Sequence, residues 1–326
     1  MLTLFRTNQP LANIFLLVYL ALLRASTVLH PTVILTKPQG ILTQWMYNEL
    51  PPNSFGAYVA AFFLVFIQAV FINITIARFR VATETTLFPG LFYCLITSMM
   101  PEFLTLSPIL LANTFLIMGM YHFFDVYKNN YASSGIFDAG LWLGTASLFH
   151  FSFVLFLFWG ILGLGILRGI RPKEFFMFFI GFLVSFFLFG SYLFWIGKFP
   201  LLGQHLTANF GFLSFTHHTD STINVKIAVM SILVFITLLG SSQLFSRRSI
   251  ATHKLLTLLF WMLLISGLTV FIQSGVDLNH WLIAAIPLSI LLSMLFQRVG
   301  IATAEVLHML LLAAALILQF EYLLIV

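Results

Sequence analysis

Long apolar segments follow one another along the whole chain, separated by short polar ones. Of the 326 residues, 60% are hydrophobic and only 8% are Asp, Glu, Lys or Arg, whereas soluble domains carry about 25% charged residues. So few charges cannot cover a water-facing surface, which excludes a soluble enzyme, a nucleic-acid-binding protein and a disordered chain. The pattern predicts an all-α, polytopic transmembrane helical bundle in contact with membrane lipids.

Eleven segments are apolar enough to be interpreted as spans, since about 20 apolar residues cross about 30 Å of hydrocarbon. They are 10–29, 54–77, 84–100, 107–123, 136–149, 152–168, 175–197, 226–244, 255–273, 281–297 and 302–322. The longest connections, 30–53 and 199–225, are too short to bury a core. We therefore expect a single integral membrane domain, 1–326, without a soluble domain.

The segment 136–168 decides the orientation, because it can be one long helix or two short antiparallel ones. With a tight turn near 148–152, 11 of the 15 basic residues fall on one side and 3 on the other, with Arg24 inside the first span. With a single helix the counts become 6 and 8. Only the two-helix interpretation gives cytoplasmic loops their usual excess of Lys and Arg. It predicts a cytoplasmic N-terminus and an external C-terminus.

Two spans are unusually short. Span 84–100 contains Pro89 and Gly90 near its start, and span 136–149 has only 14 residues. Short or Pro/Gly-interrupted segments are typical of the binding sites of transporters, whereas tilting against neighbouring helices is the alternative explanation. Both interpretations predict two short helical hairpins.

Four glycines suggest how the second of these hairpins packs. Gly140 and Gly144 have the small-xxx-small spacing that lets helix backbones approach closely, and Gly165 and Gly169 repeat it in the next span. We therefore expect the fifth and sixth spans to pack tightly on each other.

The predicted outer side holds five of the ten acidic residues and six of the nine histidines but only three lysines. Its carboxylates Glu49, Glu102 and Asp277 are the candidate catalytic residues, since general acid–base chemistry needs such groups. Asp277 and His280 share one short loop, where an acid and a base can meet a substrate at the membrane surface. The alternative for this loop is an ordinary turn.

Arg24, His150 and His280 are the candidate substrate-binding residues. Arg24 lies about two-thirds of the way along the first span, where a charge is costly and suggests a function. Its guanidinium either extends to the membrane surface or binds an anionic headgroup or pyrophosphate, which it matches in a bidentate way. His150 lies at the outward turn of the short hairpin.

Neither a metal nor a cofactor is expected. The adjacent histidines of the segment His217-His218-Thr219-Asp220 lack the spacing of known ligand pairs. The single cysteine, Cys94, lies inside an apolar run, and the chain has no Walker A sequence. Without a nucleotide-binding domain the chain is not a self-contained ATP-driven pump.

The segment Ile136-Phe-Asp-Ala-Gly-Leu-Trp-Leu-Gly-Thr-Ala-Ser-Leu-Phe-His150, continuing through Phe151-Ser-Phe-Val-Leu-Phe, resembles the central part of an uncharacterised family of polytopic inner-membrane proteins from Bacteroidota. Leu110-Leu-Ala-Asn-Thr-Phe and Phe179-Ile-Gly-Phe fit it as well. The resemblance is strongest over 85–200, and the similar length and span count extend it to the whole chain. It implies a bacterial inner-membrane protein with a periplasmic C-terminus, and it supplies no activity.

A short helix ending in Ala-Ser-Leu-Phe-His, followed at once by a return helix, is more distantly similar to hairpins of two enzyme groups. These are the membrane glycosyltransferases that use polyprenyl-linked sugars and the O-antigen polymerases. Those glycosyltransferases keep an acidic residue in the first external loop; in this chain that loop, 30–53, has Glu49 as its only carboxylate.

Three functions remain open from the sequence. The first is an enzyme of the cell envelope that acts on a lipid-linked glycan or envelope precursor at the outer face, with a polyprenyl-linked precursor as its partner. The second is a non-catalytic subunit or scaffold that binds other membrane proteins of an envelope complex. The third is a transporter or flippase for an amphipathic precursor.

Overall fold

The computed structural model of the chain describes residues 2–6, 10–29, 41–127, 129, 131–203, 221–246, 248–272 and 277–320. Within these ranges the protein consists of helices and their connections, without a β-strand, so the prediction of an all-α bundle is confirmed. The segment from His217 to Asp220 lies outside the described residues.

The described ranges contain fifteen α-helices, numbered in chain order. They are α1 Leu2–Phe5, α2 Pro10–Leu23, α3 Ser26–Leu29, α4 Ile41–Glu49, α5 Phe55–Arg78, α6 Phe88–Ile96, α7 Pro108–Val126, α8 Ser133–Phe149, α9 Phe156–Arg168, α10 Pro172–Trp195, α11 Ser221–Leu239, α12 Ser241–Phe245, α13 Ile250–Leu268, α14 Trp281–Phe296 and α15 Ile301–Gln319. Short 3-10 helices form at Pro101–Phe103, Phe151–Leu155, Thr269–Ile272 and Leu278–His280.

Eight helical segments of the described chain are long and apolar enough to cross a membrane. They contain α5, α7, α9, α10, α11, α13, α14 and α15. The protein is therefore a multi-pass membrane protein. The three other predicted spans correspond to shorter helices, namely α2, α6 and α8.

The segment 136–168 forms two antiparallel helices, as predicted. α8 ends at Phe149, where His150 has an extended backbone (φ −143°, ψ 116°), and α9 returns the chain to the other end of the bundle. There Arg168 Nη1 donates hydrogen bonds to the carbonyl oxygens of Val126 (3.2 Å) and Asn129 (2.6 Å), which precede α8. We name the two ends of the bundle the His150 end and the Arg168 end.

Loops rich in basic residues meet at the Arg168 end. Arg78, in the last turn of α5, pairs with Asp125 in the last turn of α7 (3.3 Å). Lys254, in α13, donates a hydrogen bond from Nζ to the carbonyl oxygen of Leu167 (3.2 Å). These contacts join loops that the charge count assigns to one side of the membrane.

The predicted span 84–100 is wrong in its length, because only Phe88–Ile96 is helical. At about 1.5 Å per residue this helix is about 14 Å long, less than half the hydrocarbon thickness. All nine of its residues are buried, and it packs between α5 and α14. Gly90 allows the close approach, since an added Cβ would lie 2.7 Å from the carbonyl oxygen of Ala69. α6 is a half-length helix enclosed by protein.

The glycines of the short hairpin do not join α8 to α9, so that prediction is wrong. Gly140 and Gly144 face α10, and a Cβ added at Gly140 would collide with the backbone of Phe178. Gly165 and Gly169 have no described atom within 4 Å of an added Cβ. Gly169 instead ends α9 with a positive φ of 81°, a conformation that favours glycine. The spacing indicates a close approach without identifying the partner helix.

α14 is buried along most of its length and positions the candidate site at its N-terminal end. Its interior Pro287 cannot donate to the carbonyl oxygen of Ile283; Ser266 Oγ in α13 lies 3.4 Å from that oxygen, although its shorter hydrogen bond goes to the carbonyl oxygen of Met262 (2.8 Å). Asn113 Nδ2 in α7 donates to the carbonyl oxygen of Leu282 (2.8 Å). These side-chain bonds fix the start of α14 against α7 and α13.

Candidate functional site

Two histidines from distant parts of the chain meet at the His150 end. His150 follows α8 and His280 precedes α14; their ring centroids are 5.3 Å apart with an interplanar angle of 65°. Each is only 3% exposed. The break in the helix at His150 turns its imidazole out of α8, and the edge of the Phe153 ring packs against it.

The loop before α14 holds the imidazole of His280 in place. Its Nδ1 lies 3.2 Å from the backbone nitrogen and 3.0 Å from the backbone oxygen of Asp277. Nδ1 accepts from the first group when it carries no proton and donates to the second when it does. The backbone of Asp277 therefore supports both neutral tautomers, which suits a group that exchanges protons.

An ion pair lies at the same end of the bundle. Lys226 Nζ, near the start of α11, is 2.7 Å from Glu102 Oε1 in the 3-10 helix Pro101–Phe103. The lysine side chain is 2% exposed and the glutamate side chain is 23% exposed. The second carboxylate oxygen, Oε2, is buried and has no hydrogen-bond partner among the described residues. Oε1 of Glu102 thus pairs with the lysine, whereas Oε2 has no described hydrogen-bond partner.

The ion pair and the histidine pair are carried by neighbouring elements. The 3-10 helix that carries Glu102 contacts the 3-10 helix that ends at His280. We name Glu102, Lys226, His150 and His280 the polar cluster. It combines one cation, one carboxylate and two imidazoles at the end of the bundle.

An apolar cleft of about 470 Å³ adjoins the polar cluster. α11, α13 and α14 form its walls, and its lining consists of Ile227, Val234, Leu263, Ser266, Gly267, Val270, Phe271, His280, Trp281 and Ala284. His280 is the single ionisable residue of this described lining, and Ile227 directly follows Lys226. The volume is in the range of small-molecule sites, about 300–1,000 Å³. The arrangement suits an amphipathic ligand with its apolar part between the helices and its polar part at the cluster.

The structure brings together three of the six candidate residues from the sequence, namely Glu102, His150 and His280. Asp277 supports His280 through its backbone, while its side chain is exposed. Glu49 is exposed at the end of α4 and makes no hydrogen bond or ion pair with a described residue.

Arg24 does not extend to the membrane surface. It is 4% exposed and donates hydrogen bonds to Ser98 Oγ (3.2 Å) and to the carbonyl oxygens of Thr97 (3.2 Å), Leu104 (3.1 Å) and Phe103 (3.4 Å). The cleft that it borders shares no lining residue with the cleft at His280. Arg24 therefore holds the backbone on both sides of Glu102 instead of lining the cleft beside His280.

Sequence reasoning missed Lys226 as a site residue, since it counted only as one of three lysines outside the basic loops. A signal was present: Lys226 interrupts an otherwise apolar run, and an isolated ionisable residue in a span is expected to have a partner. The partner, Glu102, lies far away in the sequence, and no local pattern joins the two.

The chain has no match among protein-family models, curated proteins or solved structures.

Proposed function

We propose that the protein is a membrane enzyme that binds a lipid-linked anionic envelope precursor, such as a polyprenyl-phosphate-linked glycan, and acts on its head group. One observation carries the proposal: the Glu102–Lys226 ion pair and the His150–His280 pair lie beside an apolar cleft between helices. A lipid chain that enters such a cleft from the bilayer keeps apolar surroundings, and an anionic head group gains from a buried cation.

Each member of the polar cluster has a chemical role in this proposal. The ammonium group of Lys226 binds a phosphate oxygen of the head group in competition with Glu102 Oε1. Glu102 is thereby released as a general base, which takes the proton of the hydroxyl or water that attacks the sugar carbon bonded to the phosphate. As the new carbon–oxygen bond forms, the bond from that carbon to the phosphate oxygen breaks and the polyprenyl phosphate leaves. An imidazolium of the histidine pair gives its proton to that oxygen and is reprotonated afterwards by the proton that Glu102 has taken; the backbone of Asp277 holds Nδ1 of His280 in place.

The proposed location is the bacterial inner membrane, with the His150 end at the periplasmic face and the N-terminus in the cytoplasm. The positive-inside rule supports this orientation, because the basic loops meet at the Arg168 end. Under this orientation the polar cluster faces the compartment in which lipid-linked glycans are assembled into the envelope.

A transporter or flippase is the second candidate, and the buried half-length helix α6 is the observation that favours it. In transporters the free ends of such helices bind the substrate. In this chain, however, the carbonyl oxygen of Thr97 at the end of α6 accepts a hydrogen bond from Arg24. Since the protein supplies its own cation at this position, we prefer the enzyme. A scaffold role predicts instead that no single residue of the polar cluster matters.

Photo-crosslinking in nanodiscs tests the binding step. The probe is a polyprenyl phosphate with a diazirine on its apolar chain, and the uncharged polyprenol with the same diazirine is the comparison. We expect Gly267→Phe to reduce labelling by the phosphate at least tenfold, because the new ring fills the cleft at a position where an added Cβ meets no described atom within 4 Å. Gly165→Phe is the matched control, since Gly165 is equally open but lies in α9.

Lys226→Met separates head-group recognition from chain binding. It is expected to reduce labelling by the polyprenyl phosphate at least tenfold while labelling by the polyprenol stays within twofold of wild type. Equal labelling of wild type and Gly267→Phe would exclude the cleft as the chain-binding site. If Lys226→Met has the same ratio of phosphate to polyprenol labelling as the wild type, Lys226 does not bind the head group.

A further inference from the structure

Arg24 carries a buried positive charge without a matching negative one. Its four hydrogen bonds go to a hydroxyl and to three backbone carbonyls, all of them neutral acceptors. None of the carboxylates in the described parts of the chain pairs with it. Nη1 donates to Leu104 and has a second N–H for which no described acceptor is present. The guanidinium is thus held rigidly but is not neutralised.

The end of α6 compensates only part of this charge. A helix C-terminus is equivalent to about half a negative charge, and the carbonyl oxygen of Thr97 at that end accepts from Arg24. A cation inside a membrane remains costly unless an anion is near. Arg24 therefore favours the binding of an anion wherever one can reach it.

A second cleft gives access to Arg24. It lies between α2 and α5, has a volume of about 270 Å³, and is lined by Ala21, Arg24, Ala25, Thr27, Phe55, Tyr58, Val59, Phe62 and Phe63. Phe55 begins α5 and is 75% exposed, and Phe63 is 52% exposed. The cleft thus opens beside the first two turns of a membrane-spanning helix. Its lining is largely aromatic and aliphatic.

We propose that this cleft binds one anionic phospholipid, with its phosphate oxygen at Arg24 Nη1 and an acyl chain along Val59, Phe62 and Phe63. The apolar lining favours a lipid over a free phosphate ion. The proposal goes beyond the enzymatic function, because the two clefts share no lining residue. Arg24 also binds the carbonyl oxygens of Phe103 and Leu104, directly after Glu102, so the bound lipid stabilises the turn that presents the catalytic carboxylate.

Native mass spectrometry of protein released from nanodiscs tests this site. Wild type is expected to retain one phosphatidylglycerol and no phosphatidylcholine, and to unfold at a higher temperature in phosphatidylglycerol. Val59→Trp and Ala21→Phe fill the cleft from its exposed wall while leaving the hydrogen bonds of Arg24 intact. Each is expected to reduce the retained fraction of phosphatidylglycerol at least fivefold.

Two comparisons make the outcome decisive. Glycerol 3-phosphate at millimolar concentration should leave the unfolding temperature of the wild type unchanged; an increase equal to that given by phosphatidylglycerol would identify a soluble anion instead and overturn the proposal. Retention of phosphatidylglycerol by both cleft-filling variants at the wild-type level would also overturn it and limit Arg24 to holding the end of α6. Lys226→Met should retain the lipid fully, so failure of this site and failure of the proposed function are distinguishable.

Discussion

The imidazole of His150, where the short hairpin turns, lies edge to face against the imidazole of His280, with 5.3 Å between ring centroids. Both rings are buried, although each residue lies next to a helix end, where a polar side chain is usually exposed to solvent. The pair joins the end of α8 to the beginning of α14, at the end of the bundle where Glu102 and Lys226 form their ion pair.

Replacing one imidazole with a phenyl ring separates its packing from its chemistry. We expect His150→Phe to unfold within about 2 °C of the wild type, because the phenyl ring retains the edge contacts to His280 and Phe153. Under the proposed function, turnover of a lipid-linked precursor should fall by about 100-fold or more, the usual contribution of a general acid or base. Mass spectrometry of extracted lipids measures this, with His253→Phe at the Arg168 end as the control. Unchanged turnover would remove His150 from the mechanism.

The Glu102–Lys226 pair should stabilise the fold through its burial. Lys226→Met leaves a half-buried carboxylate and Glu102→Gln leaves a buried ammonium, so each single variant is expected to lose about 3 kcal/mol of unfolding free energy. The double variant should recover most of the loss, as measured by denaturant unfolding in detergent.

The pair between Arg78 and Asp125 is the matched control for that cycle. Its side chains are 55% and 39% exposed, so removing either partner should cost less than about 1 kcal/mol. Equal losses at the two pairs would contradict the assignment of Lys226 to a buried environment.

The close contact of α8 with α10 depends on glycine. Gly140→Leu is expected to destabilise the protein by about 2 kcal/mol or more, because the side chain would enter the backbone of Phe178. Gly165→Ala should be neutral or stabilising by up to about 1 kcal/mol, since alanine is the better helix former and its Cβ meets no described atom. Thermal unfolding of the two variants side by side checks both signs.

Cysteine labelling in intact cells tests the orientation. The native Cys94 is buried and should remain unlabelled. We expect a membrane-impermeant maleimide to label Glu49→Cys from outside and to label Lys173→Cys only after the membrane is opened; both positions are exposed. The reverse pattern would place the polar cluster in the cytoplasm and exclude a periplasmic substrate.

The sequence was sufficient to predict the helical class and the break near His150. Long apolar runs form helices in a bilayer because their backbone groups must be hydrogen-bonded within the segment. The segment 136–168 is long enough for one helix, and the distribution of basic residues between the loops indicated a turn within it. The extent of α6 could not be predicted in the same way. Apolar composition identifies residues that avoid water, and it does not distinguish burial in lipid from burial among other helices.

The candidate site was predicted in part for a related reason. Glu102, His150 and His280 were identified because ionisable groups near spans are costly and few. Lys226 was not, since its partner is brought close only by the packing of α11 against α14. The helix that packs on Gly140 and Gly144 was predicted to be α9 and is α10. The spacing of the glycines identifies a surface for close packing on α8, but it does not indicate which helix packs there.

The enclosure of α6 also has a consequence for biogenesis. A nine-residue helix is too short to partition into lipid by itself as the ribosome delivers it. Its buried faces are completed by α14, which is synthesised much later. The packing of α6 is therefore completed only after α14 has been synthesised and inserted. A chain truncated before α14 would leave one face of α6 without its packing partner.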